Sequence, residues 1–436
     1  MRTRPCRLLT LLVLALLAWP LAAREKEALN EYQARRERLR ARLTGPVVLV
    51  GYTGSEEISP AQSFRQEENF YYLTGHEQPG AALILVPDTE AARARGFPKE
   101  ILFLPPRNKP RERWEGPKLG AGDGDAAATT GFETVLPISL LRTRVEELLE
   151  VFPNLYTLFP LSNPEHGPGG VASHAGRWLA WLRAIAPHTN FVNVRTTLGT
   201  LRQIKSESEQ ALLRNAIEAS MAAHREAMRA LRPGMYEYEI AALMAYTFTR
   251  AGCERPGYSP IVGSGFNSTV LHYDSNRRQM QAGDVVVIDV GAECAGYTAD
   301  ITRTLPVSGR FTPRQREIYE IVLGAQKAAI AAVKPGMTLA RTGENSLYRI
   351  AYDYINSNGK DLKGEPLGKY FIHGLGHHIG LEVHDPGARA LEAGMIATIE
   401  PGIYIPEENL GVRIEDIVLV TETGAELLTA SLPRTV

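Results

Sequence analysis

The second half of this 436-residue chain contains one pattern twice. LRPGM at 231–235 returns as VKPGM at 333–337, and VLHY at 270–273 returns as EVHD at 382–385. QAG followed by VVVIDVG at 281–291 returns as EAG followed by IATIEPG at 392–402. Two copies with a period above about 100 residues do not make a solenoid. The duplication instead predicts a domain with pseudo-two-fold symmetry and a site between its halves.

The first copy places two aspartates on a predicted hairpin. The apolar run at 285–288 predicts a buried strand that ends at Asp289, and the alternating segment at 297–305 predicts a returning strand that carries Asp300. A hairpin centred near 294–295 would put the two carboxylates opposite each other, about 4.5–5.5 Å apart. Like charges at that distance repel each other.

The second copy repeats this arrangement with two glutamates. ATIEPGIYI predicts a strand that holds Glu400, PEENLG predicts a loop, and VRIEDIVLV returns with Glu415. The duplication aligns Asp289 with Glu400. A single aspartate at a strand end is usually structural, but four carboxylates in two matching hairpins indicate bound cations.

A glycine-rich segment, HGLGHH at 373–378, supplies an imidazole ligand, for which His377 is the candidate. Four carboxylates with one imidazole favour Mn, Co or Fe over a thiolate-type zinc site. Four negative charges balance two divalent ions, which at a spacing of about 3.5–4 Å share a hydroxide nucleophile. This chemistry indicates hydrolysis of an amide or ester.

The duplication also pairs His272 with His384, which we expect on opposite sides of the site. Both are candidates for proton transfer and for stabilising a tetrahedral anion. The alternative is that they are packing or surface histidines.

The first half of the chain predicts a separate α/β domain. Strand-like runs at 47–50, 81–86 and 101–104 alternate with helical patterns at 140–151 and 171–186. Capping boxes at Ser206 and Thr312 predict long helices to about residues 231 and 333. We therefore expect domains at 24–196 and 197–436.

The N-terminus has the order of a secretory signal peptide, with three arginines, an apolar run at 8–19 and small residues to Ala23. An uncleaved anchor is the alternative. Cleavage would leave Cys253 and Cys294, either as free buried thiols, which we favour, or as one bridge. A net charge of −1 excludes nucleic acid as a general partner.

The motifs VLHYDSN, VVVIDVGAECAGYTADITRT, HGLGHHIGLEVHD, TIEPGIYI and VRIEDIVLV resemble those of the pita-bread metallopeptidases, in the Xaa-Pro aminopeptidase (aminopeptidase P) branch. FRQEENFYYLTGHEQPGAALIL at 64–85 resembles the N-terminal domain of the same branch. The resemblance implies a creatinase/ribonuclease H-like α/β domain followed by an α+β pita-bread catalytic domain. A methionine aminopeptidase lacks the first domain, and creatinase lacks the metal ligands.

The resemblance also implies roles for individual residues. Asp289 would be a terminal ligand of one metal, Asp300 and Glu415 would bridge the two metals, and His377 and Glu400 would complete the other site, with Glu400 also acting as the base. His272, His373 and His384 would contact substrate or the intermediate. Tyr404 would lie near the substrate, and Arg413 would support the bridging carboxylates.

The expected function is removal of the N-terminal residue from peptides with proline in second position, through a dimetal-bridging hydroxide and with Mn as the expected metal (Co, Fe or Zn being the alternatives). A prolidase that cleaves Xaa-Pro dipeptides is the first alternative, and a non-catalytic peptide-binding relative is the second. We expect an exported protein, periplasmic or secreted, without stable membrane insertion after cleavage of the signal. We also expect a homo-oligomer, either a dimer or a tetramer.

Overall fold

A computed structural model describes residues 26–56, 64–161 and 173–435. The predicted signal peptide at 1–23 lies outside these residues. Among the helices that are described, none combines the length and the apolarity that a bilayer span requires.

The first region is built on a mixed sheet with the strand order β4-β3-β2-β1-β5-β6. Strand β2 is antiparallel to β1 and β3, and the other neighbouring pairs are parallel. The apolar runs predicted as strands form β1, β2 and β3, which confirms the α/β prediction. The strands are β1 (Val47–Val50), β2 (Ala82–Leu85), β3 (Glu100–Leu104), β4 (Val135–Pro137), β5 (Asn154–Thr157) and β6 (Asn190–Asn193).

Helices cover both faces of this sheet. The predicted helical patterns at 140–151 and 171–186 appear as α6 and α7, although residues 171 and 172 are outside the described part. The predicted boundary between residues 196 and 197 falls inside α8 and stays a prediction. The helices are α1 (Leu29–Arg40), α2 (Glu68–Thr74), α3 (Glu90–Ala94), α4 (Lys109–Glu115), α5 (Ala126–Thr130), α6 (Leu141–Leu149), α7 (His174–Ile185) and α8 (Arg195–Arg202).

The second region combines helix pairs with short antiparallel sheets, as predicted for an α+β domain. Both capping boxes form, at Ser206 and Thr312, and each opens a long helix. The helices are α9 (Glu207–Ala230), α10 (Glu237–Arg250), α11 (Pro313–Ala332) and α12 (Leu347–Asn358). The strands are β7 (Arg255–Pro256), β8 (Ile261–Ser264), β9 (Val285–Asp289), β10 (Ala292–Cys294), β11 (Tyr297–Thr298), β12 (Thr302–Pro306), β13 (Ile396–Ile399), β14 (Gly402–Ile405), β15 (Leu410–Arg413), β16 (Asp416–Val420) and β17 (Ala425–Leu427).

The duplication seen in the sequence is also present in the backbone. The N–H of Gly234 donates to the carbonyl of Met280 at 2.9 Å, and the N–H of Gly336 donates to the carbonyl of Leu391 at 2.8 Å. The two glycines have nearly equal positive φ angles, 89° and 87°. Helix pair α9–α10 precedes the first copy of the acidic hairpin, and α11–α12 precedes the second. The predicted pseudo-two-fold unit is therefore confirmed.

The two regions share one hydrophobic core. Phe70 and Leu73 of α2 belong to the same buried cluster as Val286 and Ile288 of β9. Strand β9 ends at Asp289, so the strand that carries a predicted metal ligand belongs to the core that the two regions share.

Candidate metal centre

The first acidic hairpin has a different register from the one predicted. Asp289 pairs with Thr302 instead of facing Asp300. The cause is the turn, in which Cys294 pairs with Tyr297 around Ala295 and Gly296, both of which have positive φ. That combination is typical of a two-residue type I′ turn, whose centre lies one residue later than the sequence suggested. The expected single returning strand is also interrupted between β11 and β12.

The second acidic hairpin keeps the predicted register. Ile399 pairs with Asp416 and Gly402 pairs with Arg413, so Glu400 and Glu415 stand opposite each other at a break between two ladders. Each expected strand is divided at its glutamate, into β13 and β14 on one side and into β15 and β16 on the other. Because of these breaks, Glu400 and Glu415 lie outside the regular ladders of paired backbone residues.

The five predicted ligands line one cavity of about 260 Å³ at the interface of the two copies. Ligand atoms of Asp300, His377 and Glu415 all lie within 4.8 Å of one another. The cavity is bounded by Tyr258, Ser259, Ile261, His272, Asp274, Asp289, Asp300, His377, Val383, His384, Glu400 and Glu415.

His377 presents the nitrogen that a metal would need. Its Nδ1 lies 3.1 Å from the carbonyl oxygen of His378, which can only accept, so Nδ1 carries the proton. Nε2 lies 3.3 Å from Asp300 Oδ2 and 3.6 Å from Glu400 Oε1. Burial alone would lower the pKa of His377, but the hydrogen bond and charge of Asp300, together with the charge of Glu400, outweigh it and raise this pKa to about 9. A histidine anchored through Nδ1 with Nε2 towards carboxylates is typical of metal ligands.

The carboxylates of the cavity resist ionising together. Burial, reinforced by neighbouring acids, raises the pKa of Glu400 to about 7 and the pKa of Glu415 well above its ordinary value. Oε2 of Glu415 accepts from the Thr302 hydroxyl at 2.7 Å, whereas Oε1 is buried and has no hydrogen-bond partner among the described residues. A buried carboxylate oxygen without a partner is costly. These residues therefore fit a bound cation.

Arg413 supports a different carboxylate from the ones expected. Its Nη2 donates to Asp289 Oδ2 at 2.6 Å, which is the predicted terminal ligand. Its contact with the predicted bridging ligands is indirect, because its Nε donates to the Thr302 hydroxyl at 3.2 Å and that hydroxyl donates to Glu415. Burial still raises the pKa of Asp289 to about 6 although Arg413 opposes the shift.

Tyr404 links this arginine to a histidine. Arg413 Nη1 donates to the Tyr404 hydroxyl at 2.9 Å, and that hydroxyl lies 2.8 Å from His373 Nε2. Because the hydroxyl accepts from the arginine, its own proton points to His373, whose Nδ1 then donates to the Gly374 carbonyl at 2.8 Å. Burial, with Arg413 adding to it, lowers the pKa of His373 to about 3. His373 is thus a neutral, fixed group beside the cavity.

The other two predicted histidines also reach the cavity. His384 packs its ring against that of His377, with centroids 4.2 Å apart. Burial, assisted by His377, lowers the pKa of His384. His272 lines the same cavity, as does Asp274, two residues further along the chain. The structure thus brings together all the predicted site residues, while their roles stay predictions.

Two residues of the site escaped the sequence interpretation. The Tyr258 hydroxyl lies 2.6 Å from Asp289 Oδ1 and 2.5 Å from Asp300 Oδ1. Thr302 pairs with Asp289 and binds Glu415. In the structure, β8 pairs with β9, which sets Ile261 opposite Asp289 and brings the residues before Ile261 to the cavity. This pairing cannot be predicted from a single sequence.

Two family profiles match the chain. Residues 211–422 match Metallopeptidase family M24, and residues 32–156 match Aminopeptidase P, N-terminal domain. Together they cover the two regions on either side of α8.

Individual relatives give the same result. A Haemophilus influenzae Xaa-Pro aminopeptidase is 34% identical over 93% of this chain and 95% of its own length. A Pyrococcus furiosus Xaa-Pro dipeptidase is 37% identical, over 68% of this chain and 80% of its own length. The structure of Escherichia coli aminopeptidase P with the inhibitor Pro-Leu has a TM-score of 0.80 at 30% identity, and the match covers 94% of this chain and 96% of that one. The chain belongs to metallopeptidase family M24, and it is a metal-dependent peptidase with the aminopeptidase P type of N-terminal domain.

Proposed function

We propose that this protein removes the N-terminal residue from peptides whose second residue is proline, with two divalent metal ions and with Mn as the native metal. The observation that carries the proposal is the convergence of Asp289, Asp300, His377, Glu400 and Glu415 on one buried cavity. The relatives matched over both regions support the substrate class, since the aminopeptidase match extends over 93% of the chain.

The donor set suits two hard or borderline cations. Asp289 would hold one ion, His377 and Glu400 would hold the other, and Asp300 and Glu415 would be shared. When bound, such ions polarise a scissile carbonyl and make water nucleophilic at neutral pH. The unpaired Oε1 of Glu415 and the oriented Nε2 of His377 are the features that fit this role.

The surrounding residues would bind, orient and move protons. Glu400 lines the cavity beside His377 and would also serve as the base that accepts a proton. His272 and His384 line the cavity and can donate to the oxygen that becomes negative as the carbonyl is attacked. His373, fixed by Tyr404, would contact the substrate beside them. Tyr404 and Arg413 would contribute to substrate binding chiefly through this fixed network.

The decisive experiment compares Xaa-Pro-Yaa tripeptides with Xaa-Pro dipeptides and with Xaa-Ala-Yaa tripeptides. The protein is first stripped by a chelator and then supplied with Mn, Co, Zn or Fe(II). We expect cleavage of the proline tripeptides with release of free Xaa, and the highest rate with Mn. Cleavage of dipeptides alone would identify a prolidase instead.

Metal analysis separates the enzyme from a binding protein. We expect about two equivalents of metal per chain after loading, in proportion to four carboxylates and one imidazole. Less than one equivalent, together with no turnover of any peptide, would favour the non-catalytic alternative.

We also propose that the chain is exported. The support is the basic, apolar and small-residue order of residues 2–23 and the bond between Cys253 and Cys294. Disulfides persist mainly in oxidising compartments, and this bond replaces the free thiols favoured from sequence. Fractionation of cells and mass analysis of the mature N-terminus would test export. Light scattering would test the expected dimer or tetramer.

A further inference from the structure

Arg65 reaches two separate parts of the catalytic region with one side chain. It belongs to the first region, just before α2. Its Nε donates to Glu293 Oε2 at 2.8 Å, and its Nη2 donates to the Leu381 carbonyl oxygen at 2.5 Å. Its Nη1 binds Glu68 of α2. Because a guanidinium is a rigid planar fork, three such bonds fix the relative positions of its partners.

The contacts with Glu293 and Leu381 each lie at the middle of a segment that carries predicted metal ligands or substrate-binding residues. Glu293 is in β10, inside the hairpin that runs from Asp289 to Asp300. Leu381 is in the loop that runs from His377 to His384. The fork of Arg65 therefore bridges the segment with two predicted carboxylate ligands and the segment with the imidazole ligand.

The hairpin and the loop already touch at this point. The N–H of Thr298 in β11 donates to the Gly380 carbonyl at 2.8 Å. At the hairpin turn, a Cβ added to Gly296 would lie 3.5 Å from Leu381, which is an ordinary van der Waals distance. The contact is small, and a side-chain clamp next to it would resist sliding of one segment along the other.

The clamp lies mostly out of water. The Glu293 side chain is 4% exposed and that of Arg65 is 26% exposed. Exposed ion pairs contribute little because solvent screens them, but partly buried, charge-assisted bonds to a guanidinium are stronger. The bonds of Arg65 can therefore hold Glu293 and the Leu381 carbonyl in fixed relative positions.

Other cations bind the same two segments. Arg202 and Lys205 bind Asp385, at the end of the loop. Arg255 approaches Glu293 at 3.4 Å, on the hairpin, and its Nη2 donates to the Phe64 carbonyl oxygen at 3.4 Å. The fork of Arg65 bonds to both the hairpin and the loop.

We propose that Arg65 is a positioning residue for the metal centre, and that it sets the separation between the Asp289–Asp300 hairpin and the His377–His384 loop. The first region then contributes to the geometry of the site in addition to covering it. This inference rests on the proposed metallopeptidase function, and it goes beyond that function by assigning a role to a residue that is not among those lining the cavity of the predicted metal ligands.

The test uses the full-length protein with Arg65→Met, which removes the fork at similar length, and Arg65→Lys, which keeps the charge but offers one point of contact. Arg107→Met is the matched control, because Arg107 pairs with Glu112 and Asp123 within the first region. The measurements are kcat and KM on an Xaa-Pro-Yaa peptide, Mn affinity by competition with a fluorescent chelator, and hydrogen exchange of the metal-free protein.

We expect Arg65→Met to lower kcat and to weaken Mn binding about tenfold each, as for removal of groups that orient metal ligands. KM should change less than about threefold, because substrate contacts remain. Exchange should rise at 289–300 and 378–385. Arg65→Lys should give an intermediate result, and Arg107→Met should match the wild type.

A structural role alone predicts another outcome. If Arg65→Met lowers only the thermal midpoint, while Mn affinity, kcat and local exchange stay as in the wild type, the proposal is wrong. The proposed substrate class is tested separately. If the wild type fails to cleave Xaa-Pro peptides, that function is rejected, but the Mn affinity and exchange of the Arg65 variants still decide the positioning role.

Discussion

The two copies of the acidic hairpin place their carboxylates in different registers. In the second copy, Glu400 and Glu415 stand opposite each other at the break between two ladders. In the first copy, Asp289 faces Thr302, and Asp300 is displaced along the returning chain. The displaced carboxylate is the one that meets His377 Nε2 at 3.3 Å. The asymmetry therefore lets one aspartate reach across to the ligand of the other copy.

The two copies also differ in what supports them. The first hairpin is bonded to the end of α10 by Cys253–Cys294 and to the first region by Arg65. The second copy contains the hydrogen-bonded chain Arg413–Tyr404–His373. Its loop is also held by the first region, through Arg65 at Leu381 and Arg202 at Asp385. A covalent bond in one copy and a hydrogen-bonded chain in the other imply different sensitivities to mutation.

The largest expected effect is from removing one shared ligand in each copy, Asp300→Asn or Glu415→Gln. Loss of groups that merely orient ligands costs about 10–100-fold, so loss of a ligand should reduce kcat/KM by more than about 100-fold. Each variant should also lose the rise in thermal midpoint that the wild type shows on adding Mn. Exposed Glu426→Gln serves as the control. A variant that keeps both activity and metal response would remove that residue from the ligand set.

Removing the disulfide bond of the first copy should lower the free energy of unfolding. The disulfide closes a loop across a sequence separation of 41 residues, and such a bond is worth about 2–4 kcal/mol in the free energy of unfolding. Cys253→Ser with Cys294→Ser should lower that free energy by this amount, as measured by denaturant titration. A reductant should lower it equally in the wild type and leave the double variant unchanged. Equal stability of both proteins would show that the bond does not support the hairpin.

Interrupting the internal network of the second copy should have a smaller effect, on rate more than on stability. Tyr404→Phe keeps the ring but removes the hydroxyl between Arg413 and His373. A hydrogen bond to a charged group is worth at least about 1.5 kcal/mol, so kcat should fall by at least about tenfold. Tyr319→Phe is the control, because its hydroxyl bonds the backbone of Arg434, away from the cavity. An unchanged kcat for Tyr404→Phe would exclude the network from positioning His373.

The sequence predicted what depends on local chemistry. Apolar runs located the strands, and Ser206 and Thr312 located two long helices through hydrogen bonds within three residues. The grouping of the four carboxylates at one cavity was also predictable, because carboxylates at four strand ends are too costly without cations, whereas their roles as metal ligands stay predictions. The duplication then indicated that the two hairpins share one site.

The sequence could not predict what depends on register or on distant partners. The I′ turn at Ala295–Gly296 sets the first hairpin, and a shift of one residue in its centre moved Asp289 from Asp300 to Thr302. Tyr258 enters the site only through the pairing of β8 with β9. The Cys253–Cys294 bond required the spatial neighbourhood of α10 and β10, which composition does not contain.

The smallest expected effect comes from replacing Gly234 or Gly336 by alanine. It tests whether these two matching turns contribute equally to the free energy of unfolding. Gly234 and Gly336 have φ near 89° and 87°, and nothing described lies within 4 Å of a Cβ added to either. Alanine at either position would therefore meet backbone strain without a clash, at a cost of about 1–3 kcal/mol. If both copies retain the same local geometry in solution, Gly234→Ala and Gly336→Ala should lower the free energy of unfolding by amounts that agree within about 0.5 kcal/mol, and the double variant should show their sum. A clear inequality would mean that the surroundings of the two glycines respond differently to backbone strain, and that the symmetry of the backbone does not extend to its energetics.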